Sequence, residues 1–178
     1  MNIYISGLYG SKNSGLYQFI MSRYPLDRTL FLSQDFMKKK WKEQLFDVWS
    51  LINTDQNINI IAVSYGAYLL LNSLHHLQDT HHVRVLLISP VLGPMLHPAG
   101  GRIPKGYKEF KRRLENTGLG IPEANFLITG SDDPVNKPYL ASLVKNNPHV
   151  NCTLVQNQGH QLDHQTIQQS VDDFMLSA

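Results

Sequence analysis

The stretch that most constrains the fold covers residues 58–71 and reads INIIAVSYGAYLLL. Its first part, residues 58–63, is apolar and rich in β-branched side chains, which is typical of a strand buried in a parallel sheet. Its last part, residues 67–71, suits a buried helix. The sequence leaves no room for a loop between the two parts, so we expect the chain to turn sharply at Ser64.

Small residues flank Ser64 on both sides, with Ala62 two positions before it and Gly66 two positions after it. This small-x-Ser-x-Gly pattern is that of a nucleophile elbow, in which a strained turn between strand and helix exposes the serine hydroxyl. Small side chains are needed because the turn brings the two backbones together. The alternative is a serine that only caps the helix, since serine is a favoured N-cap residue.

Composition limits the class of protein. A chain of 178 residues, 42% hydrophobic and 17% charged, is typical of a globular protein, and we expect one domain over residues 1–178. The net charge of +2 is too small to indicate a nucleic-acid partner. Cys152 is the lone cysteine, which excludes an internal disulfide, and we interpret it as a buried strand residue. We see no signal-peptide pattern and no long apolar run, so we expect a cytoplasmic protein without a membrane partner.

Strand and helix patterns alternate about six times along the chain. Strand patterns cover residues 3–5, 29–32, 58–63, 83–89, 125–129 and 150–155. Helical patterns cover residues 16–24, 36–53, 67–71, 107–116, 138–146 and 166–176. This alternation predicts an α/β fold, a three-layer α/β/α sandwich with a mostly parallel sheet of about six strands. The Pro- and Gly-rich residues 90–106 predict an irregular flap, and little sequence remains for a lid.

Two other patterns suggest ligands that we do not expect. The glycine-rich residues 7–15 lack the Gly-Lys-Ser/Thr ending of a phosphate-binding loop, because Lys12 lies between Ser11 and Asn13. The histidine pairs at 75–76 and 81–82 have no spacing typical of a helical zinc site, which favours a solvated turn. We therefore predict neither a metal nor a cofactor.

Polar residues that acyl transfer requires follow three of the predicted strands. Ser64 follows the third strand, Asp132 and Asp133 follow the fifth, and His160 follows the last. Sites in open parallel sheets form at the carboxyl ends of the strands. The intervals of 69 residues (133 − 64) and 27 residues (160 − 133) leave room for two strand–helix units and then one. The sequence therefore predicts a Ser-His-Asp arrangement that attacks a carbonyl group.

With these motifs, at residues 62–66, 130–134 and 159–160, the sequence resembles the α/β-hydrolase superfamily. Within it, the chain is similar to the small, nearly lidless serine hydrolases of the retinoblastoma-binding-protein-9/YdeN-like group, over nearly its whole length. The resemblance implies Ser64 as nucleophile and His160 as base. It implies Asp133 rather than Asp132 as the acid, because the family's aspartate usually directly precedes the proline of that turn. Many relatives have His-Gly after the first strand, where this chain has Ser6-Gly7.

The expected function is a serine esterase that cleaves a small ester, thioester or amide through an acyl-enzyme. We expect the backbone N–H groups of Tyr65 and Leu8 to form the oxyanion hole. Residues expected to line the substrate site are Tyr9, Leu92, Met95 and His97. The alternative is a protein-interaction module on the same scaffold that keeps its triad, since fold alone does not define function. The expected partner is a small acyl substrate, and the sequence leaves the oligomeric state open.

Overall fold

The computed structural model describes residues 1–53, 57–77, 82–94, 103–121 and 126–177. The six strands found there are β1 (Asn2–Leu8), β2 (Arg28–Leu32), β3 (Asn57–Val63), β4 (His82–Ile88), β5 (Phe126–Gly130) and β6 (Asn151–Val155). The α-helices are α1 (Gly15–Arg23), α2 (Gln34–Lys38), α3 (Trp41–Ile52), α4 (Tyr65–Ser73), α5 (Tyr107–Asn116), α6 (Leu140–Asn146) and α7 (His164–Leu176). Short 3₁₀ turns cover Leu74–His76 and Lys137–Tyr139.

The strands form one sheet in the order β2-β1-β3-β4-β5-β6, and every neighbouring pair is parallel. This confirms the predicted parallel sheet. Because parallel strands all end at one edge, the residues that follow β1, β3, β4, β5 and β6 gather at that edge. Ser64 follows β3, one of the two central strands.

Successive residues of a strand point to opposite faces of the sheet, and this alternation builds the two outer layers. On β3, Ile60 and Ala62 belong to a core shared with helices α2 to α6, whereas Ile61 belongs to a core shared with α1 and α7. The result is the predicted three-layer sandwich. Cys152 on β6 is half-buried, less than predicted, and its burial raises the pKa of the thiol.

The prediction of one helix over residues 36–53 is wrong, because α2 and α3 are separate helices. The backbone is extended at Lys39 and Lys40, with ψ of 153° at both. The buried amide of Gln44 donates to the carbonyl of Lys39 at 3.1 Å, and the N–H of Lys40 donates to the Glu43 carboxylate at 2.9 Å. These bonds satisfy polar groups at the end of one helix and the start of the next, so the break is stable.

Helix α4 is buried along its whole length and begins directly after β3 with only Ser64 between them. This agrees with the predicted passage from a buried strand into a buried helix. Across the five described segments of the chain, the structure contains no helix with the length and apolar character needed to cross a membrane.

Candidate active site

Ser64 lies in a strained turn at the carboxyl edge of the sheet. Its φ of 50° and ψ of −117° lie outside the regions that a side chain normally allows. Its N–H donates to the carbonyl of Ile88 on β4 at 2.9 Å, which ties the turn to the neighbouring strand. A Cβ at Gly66 would lie 2.2 Å from the carbonyl oxygen of Ser6, so only glycine fits where α4 starts beside β1. These features are those of the predicted elbow.

The loop that carries His160 crosses directly over the end of β5. A Cβ at Gly130 would lie 2.0 Å from the carbonyl oxygen of Gln158 and 2.2 Å from that of Gly159. The N–H of Asp132 donates to the same carbonyl of Gln158 at 2.9 Å. This close crossing brings His160 next to the turn that follows β5.

The structure brings the three predicted side chains together in one line of hydrogen bonds. Ser64 Oγ lies 2.9 Å from His160 Nε2, and His160 Nδ1 lies 2.9 Å from Asp133 Oδ2. Asp133 is 0% exposed, whereas the side chain of His160 is 30% exposed. The serine and histidine therefore face the surface, and the carboxylate lies behind them in the protein.

The carboxylate determines which nitrogen of His160 carries the proton. Burial alone would raise the pKa of Asp133, but hydrogen bonding and charge interaction with His160, with donation from the Val135 N–H and the Thr129 hydroxyl, hold that pKa below its ordinary value. Asp133 is then an ionised carboxylate, which only accepts hydrogen bonds. Nδ1 must carry the proton, and Nε2 presents a lone pair to Ser64 Oγ.

Asp133 rather than Asp132 occupies the position next to the histidine, as the resemblance implies. Asp132 is exposed and forms a long ion pair with Lys137 at 3.7 Å. The Pro-Val segment after Asp133 folds back so that the Val135 N–H donates to Asp133 Oδ1 at 2.9 Å. This local turn directs Asp133 inward and leaves Asp132 in solvent.

The two expected oxyanion donors belong to segments that adjoin Ser64. Tyr65 is the first residue of α4, where N–H groups have no partner inside the helix. Gly7, which precedes Leu8, lies against the serine, because a Cβ there would be 3.4 Å from Ser64 Cβ. The donor roles of Tyr65 and Leu8 stay a prediction.

Ser6 lies near the end of β1 and forms two hydrogen bonds there. Its hydroxyl accepts a hydrogen bond from the N–H of Leu32 on β2 at 2.9 Å and donates to the carbonyl of Gly7 at 2.9 Å. The register of β1 against β2 shifts in this region. Ser6 therefore replaces one bond of the β1–β2 ladder and holds the start of the loop.

The expected substrate-lining residues differ in their positions. Tyr9 is 63% exposed at a positive φ of 58°, directly after β1. Leu92 is fully buried in the core, where its side chain cannot line an open surface, so that expectation is wrong for the structure described. Met95 and His97 lie outside the described residues, as do residues 95–102 of the predicted flap.

Two residues at this site were not expected from the sequence. Thr129 on β5 and Asn136 are both fully buried, and both donate to Asp133 Oδ2. A polar residue three positions after Asp133 is the only sequence signal, and it is equally typical of an exposed turn. Within the described part of the chain, no three His, Cys, Asp or Glu side chains form a group able to hold a metal. His81 and the side chain of His75 are outside that part.

Comparison with known proteins supports the fold. No protein-family model matches the sequence, and no curated protein matches it. Solved structures do match, over nearly all of both chains. A YdeN-like hydrolase from Pectobacterium atrosepticum is 13% identical with a TM-score of 0.65, covering 98% of this chain and 90% of that one. A hydrolase of the alpha/beta superfamily from Xanthomonas campestris is 11% identical with a TM-score of 0.61, covering 99% and 98%.

A third solved structure shows a similar likeness. Est1E from Butyrivibrio proteoclasticus is 13% identical with a TM-score of 0.67, covering 99% of this chain and 86% of that one. The chain therefore has the α/β-hydrolase fold, as the resemblance implied. The likeness to the YdeN-like hydrolase agrees with one part of the predicted subgroup. The retinoblastoma-binding-protein-9 part stays a prediction.

Proposed function

We propose that this protein is a serine hydrolase that cleaves a small acyl compound through a covalent acyl-enzyme. The observation that carries the proposal is the continuous line from Ser64 Oγ to His160 Nε2 and from His160 Nδ1 to Asp133 Oδ2, with 2.9 Å at each step. An activated serine nucleophile needs a base within hydrogen-bond reach and a third group that orients the base. The three residues have that geometry.

The proposed reaction follows from the roles of these groups. His160 Nε2 accepts the proton of the Ser64 hydroxyl as the oxygen attacks the carbonyl carbon, and Asp133 stabilises the imidazolium that forms. His160 then returns the proton to the leaving alcohol, thiol or amine as its bond to the carbonyl carbon breaks. In the second half, water attacks the acyl-enzyme with His160 again as base, and Ser64 is regenerated.

The negative charge on the carbonyl oxygen needs donors that are already in position. We assign this role to the backbone N–H groups of Tyr65 and Leu8. Loss of one such donor typically costs about 100- to 1,000-fold in rate. The strained backbone at Ser64 and the bonds of Ser6 hold the two segments that carry these donors.

The substrate is proposed to be small and to approach from the exposed side of His160. Tyr9 is exposed beside the end of β1 and offers an aromatic surface for the acyl or alcohol part. Similar solved structures include an esterase from Pyrobaculum calidifontis, which favours an ester. The chemistry of the three residues serves esters, thioesters and activated amides alike.

The test is steady-state hydrolysis of p-nitrophenyl esters and matching thioesters by the wild type and Ser64→Ala. We expect Ser64→Ala to lower kcat by roughly 10⁴- to 10⁶-fold, because the nucleophile is lost, with little change in thermal stability. A Ser64→Ala protein that hydrolyses the esters at the wild-type rate would overturn the proposal.

Ser89 offers a matched control. It follows β4, the strand beside β3, and it also has a positive φ, at 44°. Its buried hydroxyl has no hydrogen-bond partner among the described residues. Ser89→Ala should therefore keep the wild-type kcat, which separates loss of the nucleophile from the general effect of removing a serine at this edge.

A further inference from the structure

A second set of polar side chains lies behind Asp133, away from the serine. Thr129 and Asn136 are both fully buried. Thr129 Oγ1 donates to Asp133 Oδ2 at 3.0 Å, and Asn136 Nδ2 donates to the same oxygen at 2.8 Å. Asn136 Nδ2 also donates to Thr129 Oγ1 at 2.9 Å. Because a hydroxyl has one hydrogen, this last bond leaves the hydrogen of Thr129 for the carboxylate.

Two of these bonds end on the carboxylate oxygen that also accepts from the histidine. Asp133 Oδ2 accepts from Thr129, from Asn136 and from His160 Nδ1, whereas Oδ1 accepts from the Val135 N–H. A carboxylate can rotate about its last bond, and such a rotation would move Oδ2 away from the imidazole. The buried donors on both oxygens prevent that rotation.

The orientation of the Asn136 amide is fixed by its neighbours. Its Oδ1 accepts from the backbone N–H of Leu92 at 3.0 Å, so the opposite end of the amide must face Asp133. A flipped amide would set its oxygen against the carboxylate of Asp133 and its NH2 group against the N–H of Leu92, which would then have no acceptor. Asn136 thereby joins the acid of the site to the chain that leaves β4.

We propose that Asn136 is a positioning residue, which together with Thr129 holds Asp133 Oδ2 at the distance and direction that His160 requires. This inference rests on the proposed serine hydrolase function. Among charged groups, His160 faces Asp133 directly, while Asp132 is exposed and faces Lys137. The effect of Asn136 on the reaction is therefore transmitted through Asp133 and His160 alone.

The variant Asn136→Asp tests this role with almost no change of shape. It keeps an oxygen for the Leu92 N–H but replaces the donor to Asp133 by a second oxygen. Two carboxyl groups at this distance share one proton, and they lose it as the pH rises. We expect kcat for a p-nitrophenyl ester to fall about 10- to 100-fold with KM unchanged, because the base is displaced. The deficit should grow with rising pH as the shared proton leaves.

Asn147 provides the matched control. It is also buried, its Oδ1 accepts from the backbone N–H of Leu119 at 2.9 Å, and its Nδ2 donates to the carbonyl of Leu143 at 2.9 Å. Asn147→Asp therefore imposes a comparable change in a buried asparagine far from Asp133 in the hydrogen-bond network. We expect it to keep the wild-type kcat and the wild-type pH profile.

The outcomes separate this inference from the proposed function. A wild type that does not hydrolyse esters and whose Ser64 does not react with a fluorophosphonate refutes both the proposed function and the positioning role. An active wild type beside a folded Asn136→Asp with the same kcat and pH profile refutes the positioning role alone. If Asn136→Asp does not fold, Thr129→Val and Thr129→Ser decide the matter. The valine variant should lower kcat and the serine variant should restore it, and a valine variant with the wild-type kcat overturns the inference.

Discussion

At the scale of single residues, backbone strain is concentrated at one edge of the sheet. The non-glycine residues with positive φ in the described segments are Tyr9, Ser64, Ser89 and Asn157. Each lies within two residues of the carboxyl end of a strand, β1, β3, β4 and β6 in turn. Such conformations cost about 1–3 kcal/mol each and cluster at functional sites. The strained residues therefore lie at the same edge of the sheet as Ser64, His160 and Asp133.

The two neighbouring aspartates, Asp132 and Asp133, should respond differently to the same substitution. Asp133→Asn replaces the carboxylate that holds the Nδ1 proton. The imidazole then adopts the wrong tautomer, with its proton on Nε2, and has no lone pair facing Ser64. We expect kcat to fall by about 10⁴-fold, the size of effect known for this change in serine hydrolases. Asp132→Asn removes only an exposed carboxylate and should leave kcat within about twofold, since exposed ion pairs contribute little. Equal effects of the two substitutions on ester hydrolysis would contradict the assignment of Asp133.

The sequence predicted the three residues of the proposed triad better than the residues that hold them in place. Ser64, Asp133 and His160 were predicted because each follows a strand within a recognisable motif. Thr129 and Asn136 were not, because the inward direction of their side chains depends on how the turn after β5 packs against the chain near Leu92. That packing is a tertiary property, which local spacing does not contain.

At the scale of elements, the site depends on the crossing of two loops that follow β5 and β6. Gly130 ends β5 beneath the carbonyls of Gln158 and Gly159. The Ser131 N–H donates to Val155 O at 2.9 Å, and the Asp132 N–H donates to Gln158 O at 2.9 Å. The distance between His160 and Asp133 is therefore fixed by backbone contacts between neighbouring strands.

Gly130→Ala should separate these loops. The added methyl group would lie about 2 Å from two backbone oxygens, and overpacking of this kind typically costs about 1–3 kcal/mol. We expect a lower Tm and a lower kcat, because the loop that carries His160 must move away from Asp133. Thermal unfolding and ester hydrolysis measure the two effects.

Gly159→Ala is the control in the same crossing. A Cβ there would have no atom within 4 Å, so we expect a Tm close to that of the wild type. If Gly130→Ala were as stable and as active as the wild type, the crossing would not determine the position of His160.

The elements themselves were largely predictable, because apolar alternation and helical spacing are local properties. Five of the six strands lie within one residue of their predicted bounds, whereas β1 continues three residues beyond the predicted 3–5. The break between α2 and α3 was not predicted, since the apolar stripe continues through both helices. It depends on the buried amide of Gln44, which binds carbonyl groups at the end of α2 from a position on α3. The order of the strands also required the structure.

At the scale of the whole molecule, buried and capping carboxylates make the fold sensitive to acid. The pKa of Asp133 is held below its ordinary value, and hydrogen bonds from Gln158 and Thr166 lower the pKa of Asp163 to about 2. A carboxyl group with a depressed pKa binds fewer protons in the folded than in the unfolded state. Its contribution to stability is complete above the ordinary pKa of 3.8 and is lost as the pH falls through the folded value.

We therefore predict that the free energy of unfolding falls between pH about 4 and pH about 2. Asp163 is the N-cap of α7, and asparagine caps helices as well as aspartate does. Asp163→Asn should keep most of the stability at pH 7 and decline less steeply in acid. Urea unfolding at a series of pH values measures this.

Asp35→Asn is the control, because Asp35 forms only an exposed ion pair with Lys38. Its acid profile should follow that of the wild type. An Asp163→Asn profile that declines as steeply as the wild type would show that Asp163 does not contribute to acid sensitivity.

The central claim, that Ser64 is an activated nucleophile, is tested most directly by reaction with a fluorophosphonate, which forms a stable bond to such serines. The measurement is the intact mass of the labelled protein, followed by identification of the modified peptide. We expect one adduct per chain on Ser64, absent in Ser64→Ala and in His160→Ala. A well-folded wild type that gains no mass, or that carries the adduct on another residue, would contradict it and would favour a binding role for this fold.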